Sequence, residues 1–233
     1  MAQPEAELAV DPDLAMFVRR RSRPVRVDGV STVGHLVEAA GVPLTEVGAL
    51  LVNGQPAASG YRPAGGDVIR VCPVRRPQRP SPGRFVLDVH LGTVARWLRL
   101  AGIDAAYSRD AGDDELIDQA DAERRVLLTQ DRGILRQRRL WLGAFVRGAR
   151  PDAQFADVLD RFAPPLAPWT RCLACNGLLA AVPKAEVQDE LQPGTRRSYQ
   201  AFSRCHGCGR VYWRGAHSAR LDAIVATAAR IVG

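Results

Sequence analysis

Four cysteines in two identical spacings constrain the fold of this chain more than any other feature. They form two Cys-x-x-Cys pairs, Cys172 with Cys175 and Cys205 with Cys208, and glycine follows closely after each pair. Each pair can bring two thiolates onto one ion, and four thiolates complete a closed tetrahedral shell around zinc. Two pairs argue against the alternative, a redox-active disulfide. The pattern therefore predicts a structural Zn²⁺ ribbon, which we place at residues 166–233 together with an amphipathic helix from Ser218 to Val232.

The charge of the chain indicates a polyanionic partner. The sequence has 233 residues, a net charge of +7, 31 arginines and a single lysine, Lys184. Arginine presents a planar fork that matches phosphate and stacks on bases. A solvated basic face is the alternative, and charge alone does not separate the two.

Targeting and membrane signals are missing from the sequence. No apolar run approaches the roughly 18 residues of a membrane-spanning helix, and the first residues are acidic rather than basic and apolar. We therefore expect a cytoplasmic protein without a membrane partner.

The sequence pattern of the N-terminal third predicts a small domain of strands and one helix over residues 14–74. We expect residues 1–15 to be a loose lead-in, Met16–Val18 and Val25–Val27 to form a hairpin, and a helix to run from Ser31 to Gly41. Two further strands flank the turn signal Asn53-Gly54. A Pro- and Arg-rich linker follows at residues 75–83.

This segment resembles the β-grasp, ubiquitin-like domains of the sulfur-carrier type. Such carriers use a free C-terminal Gly-Gly, whereas this chain continues past Val71-Cys72-Pro73. The resemblance therefore implies no carrier activity, and it leaves a protein-docking module or a simple N-terminal cap as the two alternatives.

Residues 84–165 alternate between strand and helix patterns. Strands are predicted at Arg84–Leu87, Ala105–Tyr107, Val126–Thr129 and Ala144–Val146, and helices at Gly92–Leu100, Asp113–Ala122, Ile134–Arg139 and Asp152–Phe162. This alternation predicts an α/β fold with a parallel sheet and helices on both faces. Ligand sites in such sheets lie beyond the carboxyl ends of the strands.

Acidic residues stand at those positions. Asp88 and Asp131 follow two predicted strands, and Asp113 or Asp114 begins a helix. Converging carboxylates favour Mg²⁺ or Mn²⁺, with Thr129 placed to orient a ligand or an attacking water. The alternatives are that Asp113 caps its helix, that Asp114 and Glu115 are ordinary first-turn acids, and that Asp131 lies in a simple turn.

Motifs of this domain resemble the PIN-fold ribonucleases, specifically the family named for the C-terminal domain of the Mut-seven exonuclease. The matching segments are Phe85–Asp88, Leu91–Asp104, Asp113–Leu116 and Leu127–Arg132, followed by the cysteine pairs. The resemblance implies Mg²⁺ or Mn²⁺ held by Asp88, Asp114 and Asp131, with Asp113 as the rival for the middle position. It implies hydrolysis of RNA. His90 departs from the acidic or amide residue expected near Asp88.

Five residues are candidates for contact with the RNA. Arg96 and Arg99 are neighbours on one helix, Arg132 follows Asp131, and Trp213 and Arg214 combine an aromatic ring with a cation. The alternatives are solvated arginines and aromatic side chains that fill the ribbon's own small core.

The sequence thus predicts a metal-dependent ribonuclease, a hydrolase of phosphodiester bonds, whose zinc ribbon aids RNA binding. The alternative is a non-catalytic RNA-binding or adaptor protein that retains the same folds. In either case a protein partner at the β-grasp domain is one of the two alternatives for that domain.

Overall fold

The computed structural model describes residues 4–78, 83–215 and 218–233. The strands are β1 (Glu5–Val10), β2 (Ser22–Arg26), β3 (Val47–Val52), β4 (Gln55–Pro56), β5 (Val68–Pro73), β6 (Arg84–Leu87), β7 (Asp104–Tyr107), β8 (Val126–Thr129), β9 (Gly143–Phe145), β10 (Leu179–Val182), β11 (Phe202–Cys205) and β12 (Val211–Tyr212). The α-helices are α1 (Val33–Ala40), α2 (Gly92–Leu100), α3 (Asp113–Ala122), α4 (Pro151–Phe162), α5 (Pro193–Ser198) and α6 (Ser218–Val232). Single 3₁₀ turns occur at Pro12–Phe17, Leu44–Glu46, Val89–Leu91, Ile134–Arg136, Lys184–Glu186 and Gln188–Glu190.

The chain divides into two compact units. The first comprises Met1–Arg76 and Asp131–Phe145, and the second comprises Pro77–Gln130 and Val146–Gly233. The domain boundaries expected from the sequence stay predictions, and residues 79–82 of the expected linker lie outside the described residues. Within the described ranges, no helix is both long enough and apolar enough to cross a membrane.

The first unit contains a five-stranded mixed sheet with the strand order β2-β1-β5-β3-β4. Strand β1 pairs antiparallel with β2 and parallel with β5, and α1 follows β2. Thr32 caps α1, its hydroxyl accepting from the His35 amide at 3.3 Å. Gly41 ends the helix with φ +116°, where a β-carbon would collide with the Phe17 carbonyl. This arrangement confirms the predicted β-grasp fold.

Two details of the predicted N-terminal domain are wrong. Residues 5–10 are strand β1 rather than a loose lead-in, because alternate residues Ala6, Leu8 and Val10 are buried. Met16 and Phe17 belong to a 3₁₀ turn, not to the first strand of a hairpin, and the hairpin partner of β2 is β1. The predicted Asn53-Gly54 turn is confirmed, since both residues have positive φ, +52° and +80°.

Polar contacts join Asp131–Phe145 to the rest of the first unit. The backbone amide of Phe145 donates to Glu46 Oε1 at 2.8 Å, and Glu46 is only 2% exposed. Arg136 Nη2 donates to the Glu38 carbonyl at 3.1 Å. The helix predicted near Ile134–Arg139 is only the 3₁₀ turn Ile134–Arg136.

The sheet of the second unit carries the predicted parallel strands. Strand β6 lies between β7 and β8 and pairs parallel with both, and its residues Phe85, Val86 and Leu87 are fully buried. Helix α3 packs against β6 and β8, while α2 packs against β7 and α4. The bounds of β6, α2, α3 and β8 are those that the sequence predicts. The parallel sheet core with helices is therefore confirmed.

The C-terminal part of the second unit is built on a three-stranded antiparallel sheet, β10-β11-β12. Its small core consists of Val187, Leu191 and Phe202. The predicted helix Ser218–Val232 is confirmed as α6, and it packs against α4 and α2. The short helices between the two cysteine pairs are absent from the sequence prediction.

Candidate functional site

The four cysteines converge at one point of the second unit. The sulfurs of Cys172, Cys175, Cys205 and Cys208 all lie within 4.8 Å of one another. The Cys172 and Cys208 sulfurs are 3.7 Å apart, and those of Cys175 and Cys205 are 3.4 Å apart. The turn after the first pair must be closely packed, because a β-carbon on Gly177 would lie 3.0 Å from the Cys205 sulfur. We call these four residues the cysteine cluster.

The geometry of the cysteine cluster fits a tetrahedral metal ion. Zinc–sulfur bonds of about 2.3 Å place the four sulfurs of a tetrahedron about 3.8 Å apart, close to the separations observed here. Within the described residues, no other set of three or more His, Cys, Asp or Glu side chains brings its ligand atoms within 4.8 Å of one another. The cluster is consistent with the predicted zinc ribbon.

The pKa values of two cysteines in the cluster, Cys172 and Cys175, are shifted in opposite directions. Burial raises the pKa of Cys172, but hydrogen bonds with the Tyr212 hydroxyl, at 3.0 Å, and with nearby backbone amides outweigh it and lower the pKa to about 6. Burial and the neighbouring cysteines raise the pKa of Cys175 to about 12. Four thiolates in this space therefore need a cation to neutralise them.

Arg99 is a structural support for the cluster. Its side chain is 3% exposed, and its Nη1 donates to the carbonyls of Leu173 and Ala174 at 3.1 and 2.9 Å. Its Nε donates to the Ala105 carbonyl at 2.8 Å. Burial lowers the pKa of Arg99. The expectation that Arg99 contacts RNA phosphates is wrong, because its guanidinium lies inside the protein and binds the backbone between Cys172 and Cys175.

A second support of the cluster was missed in the sequence. Asn176, directly after Cys175, donates from Nδ2 to Asp104 Oδ1 at 2.7 Å and accepts from the Ala105 amide at 3.1 Å. Arg125, 6% exposed, donates to the same Asp104 oxygen at 2.5 Å. The side chains of Arg99 and Asn176 thus fix the first cysteine turn to β7.

Asp88 is a buried acidic residue of the second unit. It follows β6, is 6% exposed, and accepts from the Thr129 hydroxyl at 2.6 Å through Oδ2. Thr129 is fully buried at the end of the neighbouring parallel strand β8. The Asp88 amide donates to the Leu128 carbonyl at 3.0 Å. The carboxyl ends of two adjacent strands therefore fix one buried carboxylate and one hydroxyl together.

The acids at the start of α3 have a different arrangement from the expected one. The N-cap of α3 is Gly112, so the reading of Asp113 as the helix cap is wrong. Glu115 fills the capping role, since its Oε2 accepts from the Gly112 amide at 3.1 Å. Asp113 and Asp114 are exposed in the first helical turn. Both stay candidates for the middle metal position.

Asp131 begins the segment that belongs to the first unit. Its carboxylate is exposed and its Oδ1 accepts from the Gly133 amide at 2.5 Å, which closes a short turn. The turn left open as an alternative is therefore present. Metal ligation by Asp131 stays a prediction.

The remaining arginine candidates differ in their surroundings. Arg96 is exposed on α2. Arg132 donates to the carbonyls of Met16 and Phe17 at 2.7 and 3.4 Å, and its guanidinium lies 5.0 Å from the centre of the Phe17 ring. Arg132 therefore holds the 3₁₀ turn Pro12–Phe17 in addition to contributing a positive charge.

Trp213 and Arg214 border an aromatic pocket beside the cysteine cluster. The pocket has a volume of about 230 Å³, and its walls include Leu100, Trp169, Phe202, Tyr212, Trp213 and Arg214. Arg214 stacks on Trp169 at 4.9 Å and forms an ion pair with Asp222. Trp213 is 40% exposed, so its ring is not confined to the core of the ribbon. Trp169 is a further residue missed in the sequence.

Comparison with known proteins gives two family matches that together span most of the chain. Residues 83–225 match the Mut7-C RNAse domain, and residues 3–79 match the Mut7-C ubiquitin domain. No curated protein matches the chain.

Two solved structures of one archaeal protein are similar to part of the chain. A crystal structure of SAMP1 from Haloferax volcanii is 31% identical with a TM-score of 0.26, and covers 30% of this chain and 93% of its own. A crystal structure of H. volcanii small archaeal modifier protein 1 is 30% identical with a TM-score of 0.26, and covers 30% of this chain and 97% of its own.

The match to the ribonuclease domain extends over more than half of the chain and contains β6, α2, α3, β8 and all four cysteines. The ubiquitin-like match covers the five-stranded sheet that precedes it. The chain therefore belongs to the Mut7-C RNAse domain family.

Proposed function

We propose that this protein is a metal-dependent ribonuclease of the PIN type that hydrolyses RNA phosphodiester bonds. The observation that carries the proposal is the pair formed by Asp88 and Thr129 at the ends of two adjacent parallel strands. Ligand sites of such sheets lie at this edge. The family match to a ribonuclease domain supports RNA as the substrate.

The donor chemistry suits a hard divalent ion. Asp88, Asp114 and Asp131 would hold Mg²⁺ or Mn²⁺, with Asp113 as the rival for the middle position, because these ions prefer carboxylate oxygens. A buried carboxylate such as Asp88 is costly unless it is paired or hydrogen-bonded, and Thr129 supplies one such bond. The ion when bound supplies a Lewis acid that activates water and stabilises charge on the phosphate.

The side chains of the site have separate tasks in this proposal. Thr129 fixes the rotamer of Asp88, so that the other carboxylate oxygen faces in a defined direction. Asp113 and Asp114 lie at the positive end of α3, where the helix dipole favours ionised carboxylates. Asp131 follows Thr129 by two residues, so chain connectivity keeps it within about 7 Å of that residue.

Zinc in the cysteine cluster would have a structural role. Four thiolates complete its coordination shell and leave no position for water, so this ion is not the hydrolytic one. We infer that the ribbon instead presents the aromatic pocket. The exposed ring of Trp213 can stack on a base of single-stranded RNA, and Trp169 and Arg214 form the wall beside it.

One experiment tests the catalytic proposal. Purified protein is incubated with single-stranded RNA in Mn²⁺, in Mg²⁺ or with EDTA, alongside Asp88→Asn, Asp131→Asn, Asp113→Asn and Asp114→Asn. Asp189→Asn, an exposed acid on the 3₁₀ turn Gln188–Glu190, is the matched control. We expect metal-dependent cleavage in the wild type and the control, and loss of at least about 100-fold in Asp88→Asn and Asp131→Asn. The larger loss among the α3 variants identifies the middle ligand.

The second candidate function is RNA binding without turnover. It is favoured by one observation, that the aspartates of the described chain do not already form a ligand set within 4.8 Å. Tight RNA binding without cleavage in either metal would establish this adaptor function and reject the nuclease. Cleavage that survives both Asp88→Asn and Asp131→Asn would reject the proposed residues.

A further inference from the structure

A basic pocket in the first unit is unexplained by any role assigned so far. Its volume is about 630 Å³, and four arginines line it: Arg19, Arg20, Arg23 and Arg132. The other lining residues are Met16, Phe17, Val18, Ala39 and Ala40, so no acidic side chain contributes to its wall. We call this cavity the arginine pocket. Every lining residue belongs to the first unit, that is, to the ubiquitin-like module and the segment Asp131–Phe145.

We propose that the arginine pocket binds consecutive phosphates of single-stranded RNA. The ubiquitin-like module would then hold the substrate backbone rather than serve only to dock proteins. The proposal rests on RNA being the substrate, as proposed above.

Three of the four arginines have no ion-pair partner within the described residues. Arg19 and Arg20 are exposed in the loop between the 3₁₀ turn Pro12–Phe17 and β2. Arg23, at the start of β2, is half-buried, and its Nε is buried without a hydrogen-bond acceptor among the residues that the structure describes. A buried guanidinium N–H group without an acceptor is rare in folded proteins, and a bound anion would satisfy it.

Arg132 gives the pocket a fixed wall. Its guanidinium donates to the Met16 and Phe17 carbonyls and stacks on the Phe17 ring, so it holds the 3₁₀ turn from which the loop of Arg19 and Arg20 departs. Its charge remains in the pocket even though Nη1 and Nη2 each donate to one of these carbonyls. Arg132 is therefore a positioning residue in this proposal.

The electrostatics of the pocket favour an anion. Ala39 and Ala40 place the carboxyl end of α1 at one wall, and that end carries about half a negative charge. The four positive charges of the arginines in the same cavity outweigh this partial negative charge. Charges of one sign gathered in a concave surface focus the field and attract polyanions.

Several arginines in one cavity suit the closely spaced phosphates of a nucleic-acid backbone. The arginine fork can bind two oxygens of one phosphate, and several arginines in a cavity of about 630 Å³ can serve more than one phosphate. Arg132 directly follows Asp131, the proposed metal ligand. Backbone phosphates held by this pocket would therefore belong to the strand that reaches Asp131. An acidic protein partner is the competing outcome of the test.

The test measures the salt dependence of RNA binding in the full-length protein. Anisotropy of a fluorescent single-stranded RNA is recorded without divalent cations between about 50 and 300 mM KCl, since each phosphate contact on a single strand adds about 0.7 to the slope of log K against log salt. Arg19→Gln/Arg20→Gln is compared with Arg26→Gln/Arg70→Gln. The control pair removes the same charge from exposed positions on β2 and β5 outside the pocket.

We expect the slope of log K against log salt to become shallower by about 1.4 in the pocket variant, which is the sum of two contacts. In the control variant it should change by less than half of that amount. Arg23→Gln should lower the slope further, and Arg23→Lys should restore only part of the affinity. Inorganic polyphosphate should displace RNA from the wild type, whereas polyglutamate of equal charge should displace it poorly.

Equal slopes in the pocket and control variants would overturn the inference. Equal competition by polyglutamate and polyphosphate would also overturn it, in favour of an acidic peptide. Cleavage in Mn²⁺ is measured in parallel. If the pocket variant has a shallower slope but the wild type cleaves RNA in neither metal, the phosphate-binding proposal stands and the nuclease proposal is rejected. If the wild type cleaves RNA but the pocket variant has an unchanged slope, the nuclease proposal stands and the phosphate-binding proposal is rejected.

Discussion

The hydroxyl group of Thr129 holds the carboxylate of the proposed catalytic site in place. Its hydroxyl donates to the buried Asp88 carboxylate at 2.6 Å. Thr129→Val keeps the shape and removes the donor, so we expect a loss of about 2 kcal/mol in the free energy of unfolding, the usual cost for a hydrogen bond to a buried charge. Thr129→Ser keeps the hydroxyl and should retain most of the cleavage activity. Urea unfolding and the Mn²⁺ assay measure both effects, and a Thr129→Val variant as stable and active as the wild type contradicts the assigned role.

Asp104 gives the protein a predictable response to acid. Burial raises its pKa, but hydrogen bonds from Arg125 and Asn176 outweigh this and hold the pKa below its ordinary value. A carboxyl with a depressed folded pKa stabilises the protein fully above the unfolded value, about pH 4, and this stabilisation is lost as the pH falls through the folded pKa. Because the partner Arg125 is buried, we expect Asp104→Asn to cost about 3 kcal/mol at pH 7.

The variant Asp121→Asn is the control for the pH series. The difference in stability between wild type and Asp104→Asn should be constant from about pH 7 to 5 and shrink below about pH 4. Asp121 forms an exposed ion pair with Arg124 at 2.9 Å, so Asp121→Asn should cost less than about 1 kcal/mol at every pH. A difference for Asp104→Asn that persists undiminished at pH 3 would contradict the pairing.

At the scale of elements, the first cysteine turn is held by helix α2. Arg99 on α2 binds the Leu173 and Ala174 carbonyls. Groups that orient metal ligands in this way change metal affinity by about 10- to 100-fold when removed. We expect Arg99→Gln to weaken zinc binding by at least about tenfold in a chelator competition assay. Arg96→Gln, three residues earlier and exposed, should leave zinc affinity unchanged; equal losses in the two variants would contradict the support.

The cysteine cluster itself should determine the folding of the ribbon. Metal analysis should find one zinc per chain, and Cys205→Ser should abolish it. Zinc binding contributes on the order of 10 kcal/mol to the folding of such modules. The core of this one is small, Val187, Leu191 and Phe202. Loss of zinc should therefore unfold the C-terminal third, detected by proteolysis, and leave the ubiquitin-like sheet protected. A Cys205→Ser protein with an intact ribbon would contradict the assignment.

Elements with local signals were predictable from the sequence. Helices α2, α3 and α6 and strands β6 and β8 have the predicted bounds because periodic burial and turn residues define them. Strand β1 was missed although Ala6, Leu8 and Val10 alternate correctly, since its other residues are acids and alanine with weak strand preference. The role of Arg99 was not predictable, because its partners Leu173 and Ala174 lie more than 70 residues away in sequence.

At the scale of the whole molecule, the sequence order hides which segments depend on one another. Asp131–Phe145 lies within the ribonuclease match but belongs to the compact unit of the ubiquitin-like module. Long-range polar contacts fix it there, from Phe145 to Glu46, Arg136 to Glu38 and Arg132 to Met16. Such contacts leave no periodic trace in the sequence, so the dependence of this segment on the ubiquitin-like module is visible only in the structure.

This dependence predicts the outcome of cutting the chain after Arg76. A fragment of residues 77–233 loses every partner of Asp131–Phe145 in the first unit, including the buried Glu46 carboxylate that accepts from Phe145. We expect the fragment to unfold at a lower denaturant concentration than the full chain, to lose cleavage activity, and to recover both when residues 1–76 are co-expressed. Glu46→Ala in the full chain should reproduce part of the loss and Glu46→Gln, which keeps the acceptor oxygen, should not. A fragment 77–233 as stable and active as the full chain would show that the ubiquitin-like module is an independent attachment after all.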